Sequence, residues 1–476
     1  LKNRLTKNQA IFCMAAYVVF YALLTACCLL LFVRKSDEEF FVKLGYFIVL
    51  AVFLGAIFLY FYFADIEILK SRRKLLAVIC VTFVCFLISI FISKVNVFLS
   101  PYALCALVLT LLLGHRVALF TSLFTVIIYF VSNLIFTDLT GAALYGSLFE
   151  AIVTIILAVF ASGRHIKRIH YVFVGISISV VAAATVGLSY LLFYIPGYSP
   201  LKIGLGAAYA AGSGLLDVML MFLLVPALER LFNLTTDFRL AELTSTNNPL
   251  IKRLFNEAPG TFNHSLTVAN YVEACAMAIG EDTFLARAAA YFHDIGKLKN
   301  PNYYVENQTD GHNPHDEIAP ELSVSLLKKH IMYGVMLARE YGLPKELESA
   351  ITEHHGSFPM KFFYYKAKKI TEGELDLKNY SYDGPTPTSK INGMLMIVDA
   401  SEAALRSLNV NDALAAERLV DNIVKERLDL GQFDNCDLTM NEINIVKQTI
   451  VTTYVGIRHE RVKYPDVKLS APEGEK

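Results

Sequence analysis

Eight long apolar runs before residue 226 decide what this chain can fold into. They lie at Ile11–Val33, Leu44–Phe63, Leu75–Ser93, Val97–Leu113, Val117–Phe136, Leu144–Ala161, Tyr171–Tyr194 and Gly204–Val225. About 17–25 apolar residues suffice to cross the hydrocarbon core of a bilayer as a helix. A lone segment in lipid must satisfy its own backbone polar groups, and helices do so. The first half is therefore read as a polytopic transmembrane helical bundle. Composition agrees, because 55% of the 476 residues are hydrophobic and only 18% are charged. From Glu229 onward the charge content becomes ordinary. The expected division is a transmembrane domain of about eight helices over 1–228, a cytoplasmic linker over 229–259 and a soluble domain over 260–476.

The first run is longer than a signal-peptide core and lacks a small-residue cleavage site, so it reads as a retained helix. Zero net charge gives no electrostatic reason to expect polymeric nucleic acid as a partner. Six of the eight cysteines lie in apolar runs, and Cys275 and Cys436 stand alone, so all read as thiols without metal-type spacing.

Charge orients the bundle. Lys2, Arg4 and Lys7 precede the first run; Lys70, Arg72, Arg73 and Lys74 follow the second; His115 and Arg116 follow the fourth; Arg164, Lys167 and Arg168 follow the sixth. The intervening loops at 36–39, 137–141 and 195–200 are acidic, neutral or proline-bearing. The positive-inside rule then puts both termini in the cytoplasm after an even number of crossings. Glu150 and Asp217 lie inside apolar runs, where a carboxyl is either a functional group or a protonated, hydrogen-bonded one.

The second half shows helical periodicity and no alternating strand pattern, so an all-α chain is expected throughout. Seven of the eleven histidines fall between His264 and His355, a density that core packing does not require. At the centre is Tyr291-Phe292-His293-Asp294-Ile295-Gly296-Lys297. Adjacent His and Asp at a helix end offer a nitrogen and an oxygen ligand to one ion. His264 upstream and Asp399 downstream complete one set: His264, His293, Asp294 and Asp399. His330, His354 and His355 supply a second set, with Asp294 bridging. His-rich ligation without cysteine favours iron or manganese over structural zinc, so two divalent metal ions of that kind are the expected cofactors. His312 and His315 would cap the pocket or touch phosphate.

These residues resemble the seven-transmembrane receptor HD hydrolases, the family of the PgpH-type cyclic di-AMP phosphodiesterases. The likeness runs through Ala258–Ser265, the HDIGK segment, Asn313-Pro314-His315-Asp316, Glu353-His354-His355-Gly356, Phe363–Ala367, and Gly384-Pro385 through Asp399–Ala404, ending near Tyr464-Pro465. It implies a soluble all-helical HD phosphohydrolase domain with a binuclear centre that hydrolyses cyclic di-AMP to pApA at the bacterial cytoplasmic membrane. The expected partners are cyclic di-AMP and the lipid bilayer, and a homodimer is left open. One departure is plain: family members carry a large extracellular domain after the first span, whereas only Arg34–Lys43 separates the first two runs here. The likeness therefore brings no extracellular ligand input to this sequence.

Phosphodiester hydrolysis needs an activated water and relief of charge at phosphorus, which paired ions supply. His293 and Asp294 would act at that centre, and Lys297 would add positive charge at the phosphate. A cyclic di-GMP enzyme of the HD-GYP type is the nearest alternative, but Ser357-Phe358-Pro359 stands where its signature would follow His354-His355-Gly356. Other readings are a mononucleotide phosphohydrolase, a noncatalytic nucleotide receptor, for which a ligand should have degenerated, and a transporter, for which the runs show no inverted repeat.

Overall fold

The computed structural model describes residues 5–31, 40–137, 139–163, 167–193, 199–308, 311–410 and 412–457. The loop at 36–39, Arg164, most of the loop at 195–200 and the stretch at Tyr464-Pro465 lie outside them. Two compact units divide at Arg239 and Leu240. The described residues are helical, with no strand beyond one isolated bridge between Pro359 and Ser381.

The first unit contains α1 (Lys7–Leu31), α2 (Phe40–Ala64), the short α3 (Ile66–Lys70), α4 (Arg72–Ser93), α5 (Leu104–Leu113), α6 (His115–Phe136), α7 (Gly141–Ala161), α8 (Arg168–Leu192) and α9 (Pro200–Phe232). Seven of these are long and apolar enough to cross a membrane. The chain is a membrane protein. Many large apolar side chains face outward, among them Phe63, Phe160 and Leu223, at 81%, 75% and 70% exposure, as lipid contact requires.

The fourth expected span is where sequence and structure differ. Val97–Leu113 does not form one helix. A 3-10 turn at Val97–Leu99 is followed by Ser100 and Pro101, and only then does α5 begin. Asn96 opens that 3-10 turn, its side chain accepting from the Phe98 amide. Pro101 can donate no backbone hydrogen bond to continue a helix. Ten residues of α-helix reach about 15 Å, half of a hydrocarbon core. Gly114, at φ 98°, then turns the chain into α6.

The second unit holds the last turns of α10 (Asp237–Leu243), then α11 (Pro249–Glu257), α12 (Pro259–Ile279), α13 (Thr283–Phe292), α14 (Pro320–Glu340), α15 (Lys345–Glu353), α16 (Lys361–Ile370), α17 (Lys390–Ser407), α18 (Ala413–Asp429) and α19 (Met440–Ile457). Its core is one apolar cluster in which Val268, Val272, Phe292, Leu347, Ile351 and Ile397 are fully buried. Local chemistry sets the ends. Pro259 opens α12, and Gly280 in left-handed geometry closes it. Asp282 caps α13 by accepting from the Phe284 and Leu285 amides. Glu353 ties the end of α15 to the start of α17, accepting from the Thr388 amide at 2.8 Å and from Asn392 Nδ2 at 2.7 Å.

Gly296 fixes the remaining distance. A Cβ there would stand 1.8 Å from the His330 carbonyl oxygen and 2.5 Å from the Gly334 amide nitrogen. The turn after α13 thus presses backbone to backbone on α14, which only glycine allows. Gly296→Ala should destabilise this unit by about 1–3 kcal/mol as an overpacking change. Chemical denaturation of the full chain, followed at tyrosines of the second unit, checks it; an unchanged midpoint would contradict the close approach.

Candidate metal centre

Three helices and two helix ends deliver the expected ligands to a single point. His264 comes from the second turn of α12, and His293 and Asp294 from the end of α13. His330 lies in mid-α14, His354 and His355 leave α15, and Asp399 lies on α17. His264, His293, Asp294, His330 and His354 are all 3% exposed or less. Two groups result, each with one ligand atom per residue and all those atoms within 4.8 Å of one another: His264, His293, Asp294 and Asp399, and Asp294, His330, His354 and His355. Asp294 belongs to both.

The imidazoles are oriented by hydrogen bonds on their other nitrogen. His293 Nδ1 donates to the Ala290 carbonyl at 2.7 Å, His330 Nδ1 to Leu327 at 2.6 Å and His354 Nδ1 to Ile351 at 2.9 Å. A carbonyl can only accept, so each Nδ1 carries a proton and each Nε2 is the nitrogen turned toward the centre. His264 does the same through a carboxylate, with Nδ1 2.6 Å from Glu402 Oε2. A carboxylate behind a ligating imidazole raises its basicity and locks its ring. His293 Nε2 and Asp294 Oδ1 are buried with no hydrogen-bond partner. Buried orphans within one nitrogen and oxygen donor set are what divalent cations fill, so these residues fit a metal.

Electrostatics divides the two groups. Burial opposes charge on His293, yet Asp294 and Asp399 raise its pKa to about 10. His264 is likewise raised, with Asp399 and Glu402 outweighing burial. Burial lowers His330, lowers His354 to about 3 and holds His355 well below the usual imidazole range, and neighbouring imidazoles add to the last two. Burial would keep Asp294 and Asp399 neutral, but Lys297 and His293 around the first, and His264 and His293 around the second, hold both carboxyls well below their usual range.

Two models match the chain in order: that of the 7TM receptor with intracellular HD hydrolase over residues 40–236, and that of the HD domain over 261–403. The chain belongs to the family of 7TM receptors with an HD hydrolase domain. It is 36% identical over 374 residues to the cyclic-di-AMP phosphodiesterase PgpH of Bacillus subtilis (strain 168), covering 78% of this chain and 51% of that one. It is 33% identical over 380 residues to the protein of that name from Listeria monocytogenes serotype 1/2a (strain 10403S), with the same two shares. The chain thus spans about half the length of these curated relatives. A crystal structure of the L. monocytogenes PgpH HD domain in complex with cyclic-di-AMP matches 45% of this chain and 100% of its own, at 39% identity and a TM-score of 0.44.

The HD domain in this family binds divalent metal, and every residue expected at the centre is there. Lys297 lies beside the ligands in the pocket wall. Its ammonium is 2.8 Å from Asp294 Oδ2 and 2.7 Å from Glu306 Oε1, and 5.0 Å from the Tyr304 ring centroid. Its charge is therefore already engaged at the edge of the centre. Glu306 is held in turn by Thr261, and Asn307 accepts from the Thr261 amide. His315 is buried and bonded to the Tyr303 carbonyl at 2.9 Å, supporting the pocket wall, whereas His312 is 54% exposed and 3.6 Å from Glu317. Three contributors escaped the sequence reading: Glu402, Glu306 and Tyr382, whose ring stacks on His355 at 4.2 Å. Only Glu402 had a signal, its place three residues after Asp399 on one helix face. A pocket of about 450 Å³ opens over the centre, with His264, Lys297, Tyr304, Phe363, Tyr382 and Arg406 in its wall.

Removing the carboxylate behind His264, as in Glu402→Ala, should weaken metal affinity about 10–100-fold. Asp294 and Asp399 hold a second proton on His293 near neutral pH in the metal-free protein and shift His264 in the same direction, and a ligating nitrogen must lose that proton, so affinity should fall as pH falls and binding should release protons. Titration calorimetry in buffers of different ionisation heat reads both. Buffer-independent heats at pH 7 would contradict the raised pair.

Proposed function

We propose that this protein is a membrane-anchored phosphodiesterase that hydrolyses cyclic di-AMP to pApA at a binuclear centre. The observation that carries the reading is the pair of ligand groups sharing Asp294 on the floor of a pocket of about 450 Å³, in a chain 36% identical to a cyclic-di-AMP phosphodiesterase. Ligand pockets for small molecules run about 300–1,000 Å³. His264, His293, Asp294 and Asp399 would hold one divalent ion, and Asp294, His330, His354 and His355 the other. The absence of cysteine among them favours iron or manganese. Two such ions supply an activated water and offset the charge that builds on the phosphoryl oxygens.

The chain's own groups do the rest. Asp294 places its two oxygens on both sides of the centre, and Glu402 keeps the His264 ring turned toward it. Lys297, held between Asp294 and Glu306, keeps a positive charge at the pocket edge where a phosphoryl oxygen would arrive. Tyr304, Phe363 and Tyr382 give the pocket apolar surface suited to bases. The alternating basic loops favour a cytoplasmic HD domain with both termini on that side.

The test is turnover of cyclic di-AMP and cyclic di-GMP by the full chain in lipid discs, with manganese, with iron under reducing conditions, and with chelator. Metal-dependent pApA formation, abolished by Asp294→Ala and His293→Ala, is expected. Lys297→Met should lower kcat about 10²–10³-fold, the scale of losing one preorganised transition-state contact. A metal-loaded protein that turns over neither dinucleotide would sink the proposal.

A further inference from the structure

The membrane half buries two carboxyls that no cation answers. Glu150, midway along α7, is 0% exposed, and Asp217 on α9 is 1% exposed. Glu150 Oε1 lies 3.4 Å from Ser213 Oγ, itself one turn before Asp217, and Glu150 Oε2 has no partner. Asp217 rests against the backbone amides of Ala103 and Leu104, the first turn of α5, while its Oδ1 has no partner. The two carboxyls feel each other's charge.

Their depth follows from the broken fourth span. α5 and α6 meet at Gly114, so both start from the same surface. α6 has 22 residues and reaches about 33 Å, while α5 has 10 and reaches about 15 Å. The first turn of α5 therefore lies near the middle of the membrane. Irregular backbone at that depth is tolerated only inside protein or along a hydrated cavity, and Ser100, Pro101, Tyr102 and Ala103 are all buried. Helix termini of this kind place partial charge at mid-membrane in ion-coupled proteins.

The positive end of α5 can offset one negative charge and points at Asp217. It leaves none for Glu150. The titratable groups that the packed elements turn toward the pair are Cys85 from α4, Tyr102 from the segment before α5, Cys105 from α5 and Tyr129 from α6. All are neutral at physiological pH in their ordinary state. Among the described residues neither carboxyl pairs with Lys, Arg or His. Two buried carboxyls that feel each other's charge in a low-dielectric interior cannot both be anionic without a bound cation. Close by, between α4, α5 and α6, is a cavity of about 10 Å³ lined by Ser89, Tyr102, Ser122 and Tyr129. That is room for about one water, and Ser122 Oγ and Tyr129 Oη on its wall have no other partner.

We propose that Glu150 and Asp217 form a proton-binding site at mid-membrane, where the pair of carboxyls carries one proton and exchanges it by way of the small polar cavity beside Tyr102. A proton needs no coordination shell, whereas a sodium ion would want more oxygens than this pair and Ser213 offer. Proton uptake and loss would change the net charge facing the start of α5. The site stands independently of the metal centre and of its substrate.

The experiment is infrared spectroscopy of the full chain in lipid discs across pH, with wild type, Glu150→Gln and Asp217→Asn. A protonated-carboxyl stretch should be present at neutral pH, decline as pH rises, and be lost in Glu150→Gln, the neutral isostere, with Asp217→Asn shifting its midpoint. Labelling of wild type by a membrane-permeant carbodiimide, mapped by mass spectrometry, requires no variant and should fall at Glu150 as pH rises. A carboxyl band that does not titrate, or no band and no label at these positions, would overturn the proposal. Loss of the band on adding sodium at fixed pH would replace the proton with a metal ion and overturn it equally.

Discussion

Asp294 is the point on which the second unit turns. Its carboxylate is buried to 2% exposure and faces His293, His264, His330, His354 and Lys297. A buried anion is stable only when its surroundings are positive or donate hydrogen bonds. Positive charge comes from His293 and Lys297 at the end of α13 and the turn after it, with His264 of α12 beside them, so electrostatic need at one oxygen pair holds these elements in register. Gly296 and Glu353 belong to the same demand: one lets α14 approach the turn after α13, and the other fastens α15 to α17, which carries Asp399.

The ligand set was legible because it rests on residue type and order. Histidine is rare, and seven in one stretch, interleaved with an HD pair and followed by Asp399, leave few explanations. The helical class and the run of apolar segments were legible for a similar reason, since period and length leave a trace in one dimension. Lys297 was legible as a participant but not in its partners, because Glu306 arrives from a loop of 3-10 turns that carries no periodic signal. Tyr382 stacks on His355 from a segment with no regular structure, which no spacing rule reaches.

The membrane half shows where reading apolar length misleads. Val97–Leu113 is as apolar as its neighbours, and length alone makes it a span. Asn96 and Pro101 break it, one by competing for a backbone amide and the other by lacking one, and the break is stable because neighbouring helices bury it.

Three of the five imidazoles are aimed by carbonyls of their own helices, and a fourth, His264, by Glu402. None of these restraints involves an ion. Where metal must assemble its own ligands, as in small zinc domains, the energy of binding is spent on folding, and the ion is locked in by the fold it made. Here the donor atoms stand ready beforehand. Little of an ion's binding energy would then go into arranging its ligands, and an ion could be exchanged without unfolding the domain around it.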